Sequence, residues 1–95
     1  MTHHLPSAEA LEAVHSFPCV FHVKAFGPNT AAFTEAVTDA GRSIATSSAA
    51  VSFSERASGG GKHVCVTISL DAHNATQVRA LYTLLLAVPG LRMLL

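Results

Sequence analysis

Residues 63–70, HVCVTISL, alternate strictly: Val64, Val66, Ile68 and Leu70 interleave with His63, Cys65, Thr67 and Ser69. Successive side chains of an extended chain point to opposite faces, so the pattern predicts a strand with one buried and one open side. A sheet built from such strands needs a cover on one face only. The segment CVFHVKAF, residues 19–26, repeats the pattern, with Phe21, Val23 and Ala25 inward and His22 and Lys24 outward.

The glycine-rich stretch RASGGGKH, residues 56–63, lies directly before the first of these strands. A phosphate cradle needs a glycine at the place taken by Arg56, Ser or Thr at the place of His63, and a helix where this chain has a strand. Gly59, Gly60 and Gly61 instead suit a reversal between two strands, because glycine reaches positive backbone angles without steric cost. A second strand is therefore expected at residues 50–55, paired with residues 63–70 across this hairpin.

Two helices complete the pattern. Asn29 or Thr30 supplies the oxygen that caps a first long helix carrying Phe33, Ala36, Val37 and Ala40 on one side, with Gly41 as its stop. Asn74 caps a second, whose apolar stripe is Val78, Leu81, Tyr82, Leu85 and Val88 and whose end is Pro89-Gly90. Residues 91–95, LRMLL, form a fourth strand with Leu91, Met93 and Leu95 on one side and Arg92 and Leu94 on the other. Ser7 caps a short additional helix through about His15, with Leu11 and Val14 on a shared side, and His3 and His4 precede it in a loose tail.

Strand, helix, strand, strand, helix, strand packs economically as an α+β, ferredoxin-like two-layer sandwich, a four-stranded antiparallel sheet with two helices on one face. The domain is expected to run over residues 17–95, with residues 1–16 as an N-terminal extension holding the short helix. At 95 residues the chain supports one core, burying about 60–70% of its unfolded surface. An apolar fraction of 49% against 13% charged leaves apolar surface for a partner or for self-association as a homodimer.

Six basic and six acidic side chains cancel, so no long-range field favours nucleic acid or an anionic membrane. The run ALYTLLLAVPGLRMLL is interrupted by Pro89, Gly90 and Arg92 and falls short of the roughly 18–20 apolar residues of a membrane span. MTHHLPSAEALEAVHS lacks the pattern of a secretory signal, which makes the cytoplasm the expected compartment and Cys19 and Cys65 free thiols.

Parity on the open face gathers His22, Lys24, Phe26, His63, Cys65 and Arg92 as a surface for a partner. His22, His63 and Cys65 are zinc-ligand types, but structural zinc sites take their ligands as close pairs from tight loops, so neither a metal nor another cofactor is expected. Catalysis is not expected either: Asp71 and His73 stand near each other without a nucleophile elbow. RNA-binding sheets stack bases on several aromatics, and only Phe26 is available. Gly27, Pro28, Asn29 and Thr30, at the first strand-helix turn, form the second candidate site, where helix-end amides would receive a carboxylate.

FPCVFHVKAFG (17–27), HVCVTISLDA (63–72) and QVRALYTLLLAVPGLRMLL (77–95) resemble the YbeD-like family of small bacterial proteins, most specifically in Phe17-Pro18, Gln77-Val78, Leu81-Tyr82 and Arg92-Met93. The resemblance implies a fold similar to ACT regulatory domains and a regulatory or lipoate-linked role. ACT domains bind amino acids near the first strand-helix turn, with a glycine and an acidic residue there; Gly27 matches and the acid is missing. The three hairpin glycines depart from the family pattern and imply a mobile loop. The expected function is that of a non-enzymatic regulatory or protein-interaction domain, with a sensor for an amino acid or lipoyl-type carboxylate as the alternative.

Overall fold

The computed structural model of the chain describes residues 5–95; His3 and His4 lie outside the described residues. The elements are α1 (Ala8–Val14), β1 (Cys19–Pro28), α2 (Ala31–Ile44), β2 (Val51–Ala57), β3 (His63–Ala72), α3 (Ala75–Leu86) and β4 (Met93–Leu94). The sheet is antiparallel with strand order β2-β3-β1-β4, and the helices cover one face of it. This is the α+β sandwich expected from the element order, with β1 and β3 as neighbours along ten residue pairs from Cys19↔Ala72 to Pro28↔His63.

The helix-facing rows of the two central strands are shut off from water. Phe21, Val23 and Ala25 of β1 and Val64, Val66, Ile68, Leu70 and Ala72 of β3 pack against Phe33 and Val37 of α2 and Val78, Leu81 and Leu85 of α3. Burying each of the valine, leucine, isoleucine and phenylalanine side chains stabilises the fold by roughly 1.5–3 kcal/mol relative to exposure. No polar or charged side chain among the described residues is buried, so the core makes no demand for internal polar partners.

The caps follow the expected chemistry. Thr30 Oγ1 accepts from the Phe33 amide (3.2 Å) at the start of α2, and Asn74 Oδ1 accepts from the Gln77 amide (2.9 Å) at the start of α3. Ser7 Oγ accepts from the Ala10 amide (3.1 Å) at α1. In α1 the inward stripe runs from Ala8 through Leu11 to His15, whose ring meets Phe21 edge-on at 4.7 Å, and Val14 points to solvent at 78% exposure. The i+4 neighbour of Leu11, not the i+3 neighbour, faces the core.

Three local expectations are corrected. Gly27 and Pro28 are the last residues of β1, not a turn, because Gly27 pairs with Val64 and Pro28 with His63; a proline is tolerated at the strand end, where its missing N–H costs no interior ladder bond. Gly41 lies inside α2, which continues to Ile44. A Cβ there would come within 2.7 Å of Phe53 Cε1, so the glycine makes room for an aromatic ring of β2 and does not end the helix.

The third correction concerns β4. Leu94 opposes Ala25, which points at the helices, and Met93 opposes Phe26, which points away from them. Leu94 is therefore the residue packed on the core, while Met93 and Leu95 belong to the open face, the reverse of the expected alternation. Leu95 remains paired beyond the assigned strand, its N–H donating to Lys24 O (2.9 Å) and its carbonyl accepting from the Lys24 amide (2.8 Å).

The glycine hairpin is a tight reversal. The Gly61 amide donates to Ser58 O (2.9 Å) and the Ser58 amide to His63 O (2.8 Å), with Gly61 alone of the three glycines at positive φ, +72°.

Candidate functional site

The sheet face opposite the helices is assembled in cross-strand rows fixed by the pairing register. One row is Ser52, Ser69 and His22; the next is Ser54, Thr67 and Lys24; a third crosses all four strands as Arg56, Cys65, Phe26 and Met93. His22, Lys24, Ser52, Ser54 and Arg56 are exposed, and Phe26, Cys65, Thr67, Ser69 and Met93 are half-buried. His22, Lys24, Phe26, His63 and Cys65 thus share a surface as parity requires, and the His22 ring shares a hydrogen bond with the Ser69 hydroxyl (His22 Nδ1 to Oγ, 2.9 Å).

Arg92 lies just outside β4 but reaches the same surface, its guanidinium Nη1 donating to His63 Nε2 at 2.9 Å. Around this pair the face sinks into two adjoining hollows. One, of about 490 Å³, is lined by Phe26, Gly27, His63, Arg92 and Met93. The other, of about 430 Å³, is lined by Phe26, Cys65, His63 and the segment from Arg56 at the end of β2 to Gly59 in the hairpin. Phe26 and His63 are common to both, so the hollows form one shallow trough with an aromatic floor.

The candidate zinc ligands do not converge. His22 lies in the row of Ser69 and His63 in that of Pro28, six residues along β1, which at strand spacing is about 20 Å. Among the described residues no group of three His, Cys, Asp or Glu side chains is close enough to hold a metal ion. Cys19 and Cys65 are both free thiols. Asp71 and His73 stand at the far end of β3, where the His73 backbone amide donates to Gln77 Oε1 (2.7 Å).

At the second candidate site, several polar groups of the turn already have partners. The Asn29 amide donates to Lys62 O (3.0 Å), Asn29 Nδ2 donates to Gly61 O (3.0 Å), and Thr30 Oγ1 caps α2. The space beside Gly27 is filled by the Phe33 ring. This segment binds the end of β1 to the glycine hairpin.

Sequence reasoning passed over Arg56, Met93 and Leu95 as residues of the open face. The signal for Arg56 was present in the alternation Val51, Phe53 against Ser52, Ser54, Arg56, but placing it beside Phe26 requires knowing that β3 separates β2 from β1. One titration stands out on the opposite side of the molecule: the half-buried Tyr82 phenol, edge-on to Phe21 at 6.4 Å, is pushed above the ordinary tyrosine pKa by desolvation.

A family profile described as a protein of unknown function, DUF493, matches residues 12–95. The chain belongs to the DUF493 family. This agrees with the YbeD-like resemblance of its strands and C-terminal helix. No curated protein and no solved structure matches the chain. In this DUF493 protein the residues that carry the resemblance divide by role. Gln77 joins the helices by donating from Nε2 to Ile44 O (3.0 Å), Tyr82 packs on Phe21, and Arg92 stands on the open face. No helix among the described residues is long and apolar enough to cross a membrane.

Proposed function

We propose that the protein is a non-enzymatic regulatory domain of the cytoplasm that docks another protein on the open face of its sheet. The observation that carries this reading is the composition of that face. Leu95 is 63% exposed, and with the half-buried Phe26 and Met93 it forms apolar ground among serines, a threonine and cations; Val20, 55% exposed, stands apart toward the other end of β1. Apolar contact area within a polar surround is the makeup of a docking surface. The trough is open and shallow, whereas small-molecule sites enclose most of their ligand. The order β2-β3-β1-β4 with helices on one side is also the arrangement of ACT-like regulatory domains, which supports a regulatory role.

The alternative, a sensor for an amino acid or lipoyl-type carboxylate at Gly27, Pro28, Asn29 and Thr30, ranks second because the Asn29 Nδ2 group and the Thr30 hydroxyl are already engaged within the fold. A photo-crosslinking residue at Ser54, compared with one at Thr83 on α3, tests the leading reading in cells of the native host. Crosslinks to protein from position 54 and none from position 83 are expected. Crosslinks from position 83 alone, or none from either, would refute it.

A further inference from the structure

The chain is neutral overall, but its charges are sorted by side. Of its six lysines and arginines, Lys24 and Arg56 stand in outward rows of the sheet, Arg92 meets His63 there, and Lys62 lies in the hairpin at the same end. The other two belong to the helical layer: Arg42 pairs with Asp39 at 3.5 Å and Arg79 donates to Pro6 O at 3.0 Å. The acids are distributed the other way. Glu9 and Glu12 are on α1, Glu35 and Asp39 on α2, and Glu55 is in register with Val66 in the helix-facing row. Only Asp71 shares the open face, opposite Val20, six residues along β3 from Cys65 and so about 20 Å from the Arg56 row.

Local potential, not net charge, governs which partners approach a surface. We propose that the open face recognises an acidic segment of another protein, its carboxylates meeting Lys24, Arg56 and Arg92 while an apolar side chain enters the trough over Phe26. The proposal rests on the reading of this face as the docking surface and adds the chemistry of the partner. Nucleic acid shares the charge but fits less well, because Phe26 is the face's one Phe, Tyr or Trp ring and the His22 and His63 rings are tied to Ser69 and Arg92, where single-strand binders stack successive bases on a run of open aromatics. A second copy of this chain fits less well too. Open face against open face sets cations against cations, and open face against the acidic helices is a head-to-tail contact, which builds a ring or a filament and not the two-fold dimer commonest among self-associating chains.

The test uses the full chain with the crosslinker at Ser54, in wild type and in a Lys24→Glu, Arg56→Glu background. Both side chains are exposed, so the doubly substituted chain keeps its melting temperature, and circular dichroism verifies it. The crosslinked peptide is expected to be net acidic. Crosslink yield is expected to fall about tenfold or more on charge reversal, and to return when acids in the captured segment are changed to lysine. A neutral or basic captured segment, a yield indifferent to charge reversal, capture of RNA, or capture of a second copy of this chain each overturns the proposal. The first two leave the docking face itself standing, while absence of any crosslink from position 54 removes both.

Discussion

Gly27 separates a packing role from a ligand-binding one. A Cβ at this position would lie 2.8 Å from Phe33 Cδ1 and closer still to Cε1 and Cζ, inside the distance any side-chain carbon keeps. Phe33 is only 2% exposed and is held against the core, so the ring has little room to retreat. Gly27→Ala therefore overpacks the junction of β1 and α2, at a cost of roughly 1–3 kcal/mol. Replacing a strand glycine returns about 0.5–1 kcal/mol through the unfolded chain. The net effect is a loss of up to about 2.5 kcal/mol, centred a little above 1 kcal/mol, at roughly 4–8 °C in melting temperature per kcal/mol for a domain of this size.

Phe33→Leu removes the ring edge that the new methyl meets and should cost about 1 kcal/mol alone. In the double variant the methyl occupies the vacated space, so the two losses combine to less than their sum, with a coupling of about 0.5–3 kcal/mol. Urea titration of all four proteins, followed by circular dichroism, measures the cycle. A neutral or stabilising Gly27→Ala together with additive losses would refute the reasoning and return Gly27 to the category of residues kept for a ligand.

Three further outcomes are expected. Gly61→Ala, at φ +72°, destabilises by about 1 kcal/mol, whereas Gly60→Ala, which meets nothing within 4 Å, is neutral or stabilising by up to about 1 kcal/mol; thermal melts of both decide whether the hairpin glycines differ in conformational demand. Asn74→Ala loses the cap of α3 and costs about 0.5–2 kcal/mol, read from the urea midpoint, while Asn74→Ser stays near wild type. The raised pKa of Tyr82 means that, from about pH 10 upward, the folded chain keeps a proton the unfolded chain has released. Stability should therefore fall as pH rises through that window, by less in Tyr82→Phe, and equal slopes in the two proteins would contradict it.

What was legible in the chain was what local periodicity encodes. β3 announces both its faces because each of its residues obeys the period of two, and β1 does so through Phe21, Val23 and Ala25. Those two strands placed His22, Lys24, Phe26, His63 and Cys65 on one surface without knowledge of the fold. The misreadings fall where a tertiary partner decides. Gly41 has the local character of a helix stop, yet the Phe53 ring lies where its side chain would be. LRMLL is apolar at nearly every position, so its facing depends on which residue comes to oppose Ala25, and a two-residue edge strand carries no periodic signal of its own. The sorting of charge was invisible for the same reason, since it depends on β2 and β1 being separated by β3 and on Arg92 reaching back to His63.

The one-sided core has a consequence for how function can evolve in such a chain. Stability resides in the helix-facing rows, where Val23, Val66, Ile68, Leu81 and Leu85 are fully shielded, and the opposite rows contribute exposed or half-buried side chains that hold no helix in place. Substitution at Ser52, Ser54, Lys24 or Arg56 removes little buried area, and surface changes of that kind usually stay within about 0.5 kcal/mol. The side chains of this face can thus change with little effect on folding. The exception is the row of Phe26 and Cys65, half-buried on the face itself, where a change alters both the trough floor and the packing between strands. Under the proposed docking, that row is where the fold would constrain the partner, because a side chain entering the trough would have to fit against the Phe26 ring that the sheet holds in position.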